Sequence, residues 1–265
     1  MNAPHTIPLW PENCSHNVTA EPLPPRLEVW LPSPTTPKTH TAVIVCPGGG
    51  YAGRAPHEGE PFARLFAEQG FVSGVLHYRV APHRHPLPLA DACRAVRLVR
   101  QRAGEFNVDP HRIALMGFSA GGHLAATVGT QPDLHRDADD DLAARFSARP
   151  DRLIVAYPVV SFVTQYHAGS AENLLGQNPT AAARRQLSNE LHVTAQNPPV
   201  FLFHTADDPG VPVANSLNFA AACAAHNVPV ALHVFPHGPH GVGLAQEIPA
   251  LRCWTELLLD WLRQW

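Results

Sequence analysis

Short apolar runs alternate along this chain with longer segments of helical period, and that alternation constrains its fold more than any other feature. The runs are 26–31, 41–46 (TAVIVC), 71–78 (FVSGVLHY), 112–116 (RIALM), 153–157 (LIVAY), 200–204 (VFLFH) and 230–235 (VALHVF). Helical patterns at 61–69, 89–103, 120–130, 213–226 and 248–265 lie between and after them. Run 26–31 alternates apolar and polar residues, as an edge strand does. Several others are apolar almost throughout and rich in β-branched residues, as strands buried on both faces are. Strands separated by helices pair in parallel, and the helices then cover both faces of the sheet. The expected class is α/β with a mainly parallel central sheet. No linker divides the 265 residues, so a single domain is expected.

In open sheets of this kind ligands sit beyond the carboxyl ends of the strands. The loops after 41–46, 112–116, 200–204 and 230–235 are therefore where chemistry is expected. Run 112–116 leads into Gly117-Phe118-Ser119-Ala120-Gly121, a G-x-S-x-G sequence at a strand-to-helix junction. A serine on so sharp a turn projects its hydroxyl out of the sheet. Side chains two residues before and after it would collide, which accounts for glycine at both places. The helix start adds backbone N–H groups and the positive end of a dipole. Ser119 is a candidate nucleophile; the plainer alternative is a serine that merely caps the helix.

Run 41–46 leads into Pro47-Gly48-Gly49-Gly50-Tyr51. Successive glycines let a backbone approach a ligand closely and aim N–H groups at it. Acyl transfer needs such donors for its tetrahedral oxyanion. The candidate donors are the amides of Gly49, Gly50 and Ala120. A phosphate cradle fits less well, because neither the lysine of a P-loop nor G-x-G-x-x-G spacing is present. The base is sought among 17 histidines. His240 stands in the glycine-bounded loop 236–241 (PHGPHG) between the last strand and the last helix; His237 shares that loop, and His233 lies inside the strand. The acid should fall between serine and histidine in the chain. Asp207 and Asp208 both follow 200–204, and the residues alone do not separate them.

The formal net charge of −3 favours neither nucleic acid nor an anionic membrane surface. The N-terminus lacks a basic stretch followed by an apolar one, and no segment reaches the ~20 apolar residues of a spanning helix. A cytoplasmic location is the default expectation. Five cysteines, an odd number at wide spacings without CxxC, indicate neither a zinc site nor a disulfide scaffold; Cys46, Cys93, Cys223 and Cys253 are expected to pack as small hydrophobes. Asp137, Asp139, Asp140 and Asp141 lack the glycine and terminal glutamate of a calcium loop and read as a solvated surface segment. Segment 161–197 is polar with scattered apolar residues and is expected to form a small cap. Nothing in the chain specifies an oligomeric state.

Together, PGGGY (47–51), HEGEP (57–61), Tyr78-Arg79, GFSAGGHLAA (117–126), Asp208-Pro209-Gly210-Val211-Pro212 and His240-Gly241 resemble the acetylxylan-esterase-like and carbohydrate acetyl/feruloyl esterase branch of the α/β-hydrolases. The resemblance implies an α/β-hydrolase fold with Asp208 as the acid. It implies neither metal nor organic cofactor. It also implies a small-molecule ester partner: acetyl esters of sugars, with hydroxycinnamoyl esters beside them. Tyr51, His57, Glu58 and Phe118 lie within these motifs and are candidate substrate-pocket residues; for His57 and Glu58 a structural or pocket-wall role is favoured over substrate contact, and a metal pair is disfavoured because H-E-x-x-H is absent. Glu60 with Pro61 marks a helix start, and Arg79 is expected in a buried pair. One departure is Pro239, which stiffens the loop before His240. An arylformamidase or other amidase shares the triad and the glycine loop. A non-catalytic binding protein of this fold is disfavoured because every triad position is filled, and a lipase because no long apolar lid helix is evident.

Overall fold

The computed structural model describes residues 3–11, 24–136 and 142–265. Its centre is an eight-stranded sheet in the order β1-β2-β4-β3-β5-β6-β7-β8. The strands are β1 His5–Pro8, β2 Arg26–Trp30, β3 Ala42–Cys46, β4 Val72–His77, β5 Ile113–Phe118, β6 Arg152–Ala156, β7 Val200–Thr205 and β8 Val230–Phe235. β1 pairs antiparallel with β2, and β2 with β4; every later pairing is parallel. The mainly parallel sheet therefore holds and each run forms a strand, but 26–31 is not the expected edge: β2 is flanked by β1 on one side and β4 on the other. β1 is an addition. Only Ile7 of its four residues is buried, and Pro8 closes it, so it carries almost no periodic signal.

The helices are α1 Glu60–Glu68, α2 Leu87–Gln101, α3 Ser119–Thr130, α4 Ala168–Leu175, α5 Ala181–Gln186, α6 Ala214–Ala225 and α7 Trp254–Arg263. Strand residues alternate between two helical layers, as a period of two demands. Val43, Val45, Phe201 and Phe203 share one apolar cluster with Phe62 and Phe66 of α1 and Trp254 and Leu258 of α7. Ile44, Cys46, Val200 and Leu202 face the other way and pack with α2, α3 and α6. Cys46, Cys93 and Cys223 are buried and Cys253 is half-buried.

The last helix starts later than its apolar pattern suggested. Pro249 has no N–H to give to residue 245, and the segment advances in tight turns, Ile248 to Ala245 and Leu251 to Ile248, before α7 begins. Segment 161–197 contains α4 and α5. It is tied to the body by the Leu174 carbonyl, which accepts from His85 N, and by the Leu187 carbonyl, which accepts from His123 Nε2 at 2.7 Å. Arg79 forms its pair: Nε and Nη2 bind the two carboxylate oxygens of buried Asp91 at 2.8 and 2.6 Å, joining the end of β4 to α2. Among the described residues no helix is long and apolar enough to cross a membrane. Cys14 and the four aspartates between 137 and 141 lie outside the described residues.

Candidate active site

Register places the glycine loop and the serine side by side. Cys46 stands opposite Gly117 in the parallel β3–β5 pair, so the residues that follow each strand emerge together. Ser119 then turns sharply with φ +50, a strained conformation for any side-chain residue. The turn depends on both flanking glycines. A Cβ on Gly117 would overlap the Gly121 carbonyl, and a Cβ on Gly121 would overlap the carbonyls of Cys46 and Pro47. The collision inferred from the motif thus occurs within the turn and between neighbouring strands.

Three side chains converge at this end of the sheet. Ser119 Oγ lies 2.8 Å from His240 Nε2, and His240 Nδ1 lies 2.7 Å from Asp208 Oδ2. With Nδ1–H donating to the carboxylate, Nε2 accepts from the serine hydroxyl. Asp208 is held from several sides. Its Oδ1 accepts from the amides of Gly210 (2.7 Å) and Val211 (2.9 Å), and His204 Nε2 stands 3.4 Å from Oδ2. Burial alone would push this carboxyl up. The hydrogen bonds from His204, His240 and Val211, with the charge of His240, outweigh burial and hold it well below the usual carboxylate range. The choice left open by the residues is made by direction: Asp208 turns inward to His240, while Asp207 turns outward to His237 Nδ1 at 2.8 Å.

The glycine loop lies against the serine. A Cβ on Gly48 would stand 3.0 Å from Ser119 Cβ. Gly49 and Gly50 both adopt positive φ, +123 and +65, and their amides make no hydrogen bond among the described residues. The Ala120 amide lies in the first turn of α3, where N–H groups have no partner within the helix. Asn173 of α4 donates to the Gly50 carbonyl at 2.9 Å, which links segment 161–197 to this loop.

Three of the four pocket expectations are corrected. Tyr51 is 1% exposed, and its hydroxyl binds His123 Nδ1 at 2.8 Å, inside the layer of α2 and α3. Phe118 is fully buried, with its ring 4.6 Å from that of Phe62. It shares strand parity with Ala114 and Met116, so it faces α1 and α7 rather than a ligand. Glu58 is 2% exposed, and both its oxygens accept hydrogen bonds, from Gly48 N (2.7 Å) and Tyr157 Oη (2.8 Å). His57 is exposed at the rim and donates through Nε2 to the Gly241 carbonyl at 2.9 Å, bracing the loop of His240.

Two residues escaped the sequence reading. Tyr157, at the end of β6, sets its ring edge-on to His240 at 5.2 Å. The rule that searched other strand ends would have found it. His204 is buried in β7, where an apolar run hides a polar residue; Ser216 and the Val211 carbonyl satisfy its two nitrogens at 2.7 and 2.9 Å. His167 caps the N-terminus of α4 and accepts from the Ser170 amide at 3.1 Å. Burial, then the charge of His240, lower its pKa.

The BD-FAE family model matches residues 27–223. An endo-1,4-beta-xylanase B of Butyrivibrio fibrisolvens is 38% identical over 77% of this chain and 33% of its own length. An acetylxylan esterase of Xylanibacter ruminicola is 30% identical over 76% of this chain and 41% of its own. The chain thus spans well under half the length of these two curated relatives. The crystal structure of an acetyl ester-xyloside bifunctional hydrolase from Caldicellulosiruptor lactoaceticus superposes with a TM-score of 0.92 at 44% identity, covering 98% of this chain and 96% of that one. The esterase Est2 of Thermogutta terrifontis superposes with a TM-score of 0.80 at 26% identity, covering 99% and 92%. On the family match and these likenesses, the chain belongs to the BD-FAE family of α/β-hydrolases.

Proposed function

We propose that this protein is a serine carboxylesterase that hydrolyses short-chain esters, acetyl above all, of sugars or xylo-oligosaccharides. The observation that carries the reading is the unbroken line Ser119 Oγ–His240 Nε2 at 2.8 Å and His240 Nδ1–Asp208 Oδ2 at 2.7 Å. His240 takes the hydroxyl proton as Ser119 attacks the ester carbonyl. The amides of Gly49, Gly50 and Ala120 receive the oxyanion. Asp208 holds the imidazole tautomer and stabilises the imidazolium without itself taking the proton. The alcohol leaves with the proton from His240, and water repeats the sequence on the acyl-enzyme. The proton transfers between Ser119, His240 and Asp208 run along contacts already at hydrogen-bond distance, so little reorganisation of the triad precedes them.

The acetyl and sugar parts of the proposal are supported by the names of the relatives and of the most similar crystal structure cited above. A panel of esters varying acyl length at fixed alcohol, then acetylated xylo-oligosaccharides against N-formylkynurenine, tests them. A steep fall in kcat/KM beyond acetyl and faster turnover of the sugar ester are expected. Equal rates across the panel, or preference for the formamide, would refute the deacetylase reading.

A further inference from the structure

Glu58 is a carboxylate buried beneath the site, and burying a charge is costly unless something offsets it. Its contacts connect the two loops on which the proposed reaction depends. Oε2 accepts from Gly48 N at 2.7 Å, at the foot of the glycine loop. Oε1 accepts from Tyr157 Oη at 2.8 Å, and that same hydroxyl accepts from Gly243 N at 3.2 Å, three residues beyond His240. A Cβ on Gly241 would stand 3.8 Å from Glu58 Oε1, and a Cβ on Gly48 only 2.6 Å from Oε2. The carboxyl is thus wedged between the glycine loop and the base loop. We infer that Glu58 and Tyr157 form a buried positioning pair for the proposed ester hydrolysis, fixing the glycine loop through Gly48 and the base loop through Gly243, with the carboxylate charge facing the imidazolium that forms on His240.

The contacts fit the ionised form. Gly48 N–H can only donate, and Tyr157, which accepts from Gly243, donates to the carboxylate; neither partner takes a proton from a neutral carboxyl. Burial nevertheless raises the Glu58 pKa, against the hydrogen bonds from Tyr157 and Gly48 and the charges of His57 and His240. The groups facing His240 are Asp208, Ser119, the Tyr157 ring, Glu58 and His167. Those facing Glu58 are His57, with Nε2 at 3.7 Å from Oε1, Tyr157, the Gly48 amide and His240. A negative charge beside the imidazole favours its protonated state, which appears only as the serine is activated. Its loss therefore acts on kcat rather than on substrate binding. The variant also lacks the titration of Glu58, whose pKa burial raises, and this moves the acid limb of the activity profile to lower pH.

This inference rests on the esterase reading, so the experiment includes Ser119→Ala beside the wild type, Glu58→Gln and Tyr157→Phe. All four proteins are assayed with 4-nitrophenyl acetate across pH, and their thermal unfolding is measured. Glu58→Gln is expected to lower kcat about 10- to 100-fold with KM held within about twofold, and to move the acid limb of kcat/KM to lower pH. Its melting temperature should fall modestly, because the glutamine NH2 must face either the Gly48 N–H or the Tyr157 hydroxyl, both donors to the native carboxylate. Tyr157→Phe removes one hydroxyl while keeping the ring, and should lower kcat about 3- to 10-fold at unchanged KM. Wild-type kcat and pH profile in Glu58→Gln would overturn the inference. So would a joint fall of kcat and melting temperature with an unmoved acid limb, which marks a purely structural wedge. If Glu58→Gln does not fold, Tyr157→Phe decides, and wild-type kcat there overturns the inference. Equal activity in wild type and Ser119→Ala would instead strike the esterase reading itself, and this pair with it.

Discussion

Two aspartate–histidine pairs stand on the same two loops, and their chemistry is nearly identical on paper. His240 Nδ1 meets Asp208 at 2.7 Å; His237 Nδ1 meets Asp207 at 2.8 Å. The environments differ completely. The side chains of His240 and Asp208 are 26% and 0% exposed, whereas those of His237 and Asp207 are 86% and 52% exposed. Water and salt screen the outer pair, and such surface pairs contribute little. The inner pair is screened far less, and its imidazole has a second partner in Ser119. The hydrogen bond between acid and base is therefore common to both pairs. What marks the inner one is burial of the acid and a serine hydroxyl, that of Ser119, on the far nitrogen.

The comparison breaks most easily at the histidines. His240→Ala should lower kcat for an acetyl ester on the order of 10⁶-fold, as removal of a triad base does elsewhere. His237→Ala should stay within about twofold, since that ring touches neither serine nor glycine loop. Steady-state kinetics on both proteins check this, and similar losses would make the contrast meaningless. The acids come next. Asp208→Asn should cost roughly 10⁴-fold in kcat through the wrong tautomer; Asp207→Asn should leave kcat unchanged.

A smaller effect sharpens the contrast in stability. The fold holds the carboxyl of Asp208 below its unfolded value. Its contribution is therefore present above the unfolded carboxylate range and is lost as pH falls through the folded value. Wild-type stability relative to Asp208→Asn should thus increase with pH across the acid range by about 2 kcal/mol, read from denaturant unfolding at a series of pH values. Asp207 is shifted the same way, first by the hydrogen bond from His237 and then by that from the Gly238 amide, but at an exposed site. The smallest expected effect is here: any pH dependence lost in Asp207→Asn should vanish in high salt.

Much of the fold was legible because parallel strands announce themselves as compact apolar runs. Ser119 was legible because its turn tolerates only glycine two residues to either side. The Asp207–Asp208 choice was not legible from the residues themselves. Both follow the same strand, and which one turns inward depends on amides at 210 and 211 and on His204, none of which is local pattern. The family resemblance implied Asp208, and it is Asp208, not Asp207, that hydrogen-bonds to His240. Phe118 was misplaced although its parity with Ala114 and Met116 was visible in the run itself. Tyr51 and Glu58 were misplaced because burial, not residue type, separates a wall from a support. Tyr157 and His204 were missed because each ends or interrupts an apolar run as a buried polar residue, and its partners are long-range.

On the proposed mechanism the inner pair, and not the outer, makes Ser119 nucleophilic. Reacting the wild type, His240→Ala and His237→Ala with a fluorophosphonate probe and locating the adduct by peptide mass spectrometry separates the two pairs. Rapid labelling of Ser119 is expected in the wild type and in His237→Ala, and almost none in His240→Ala. Labelling at another residue, or equal labelling of Ser119 in all three proteins, would contradict that mechanism.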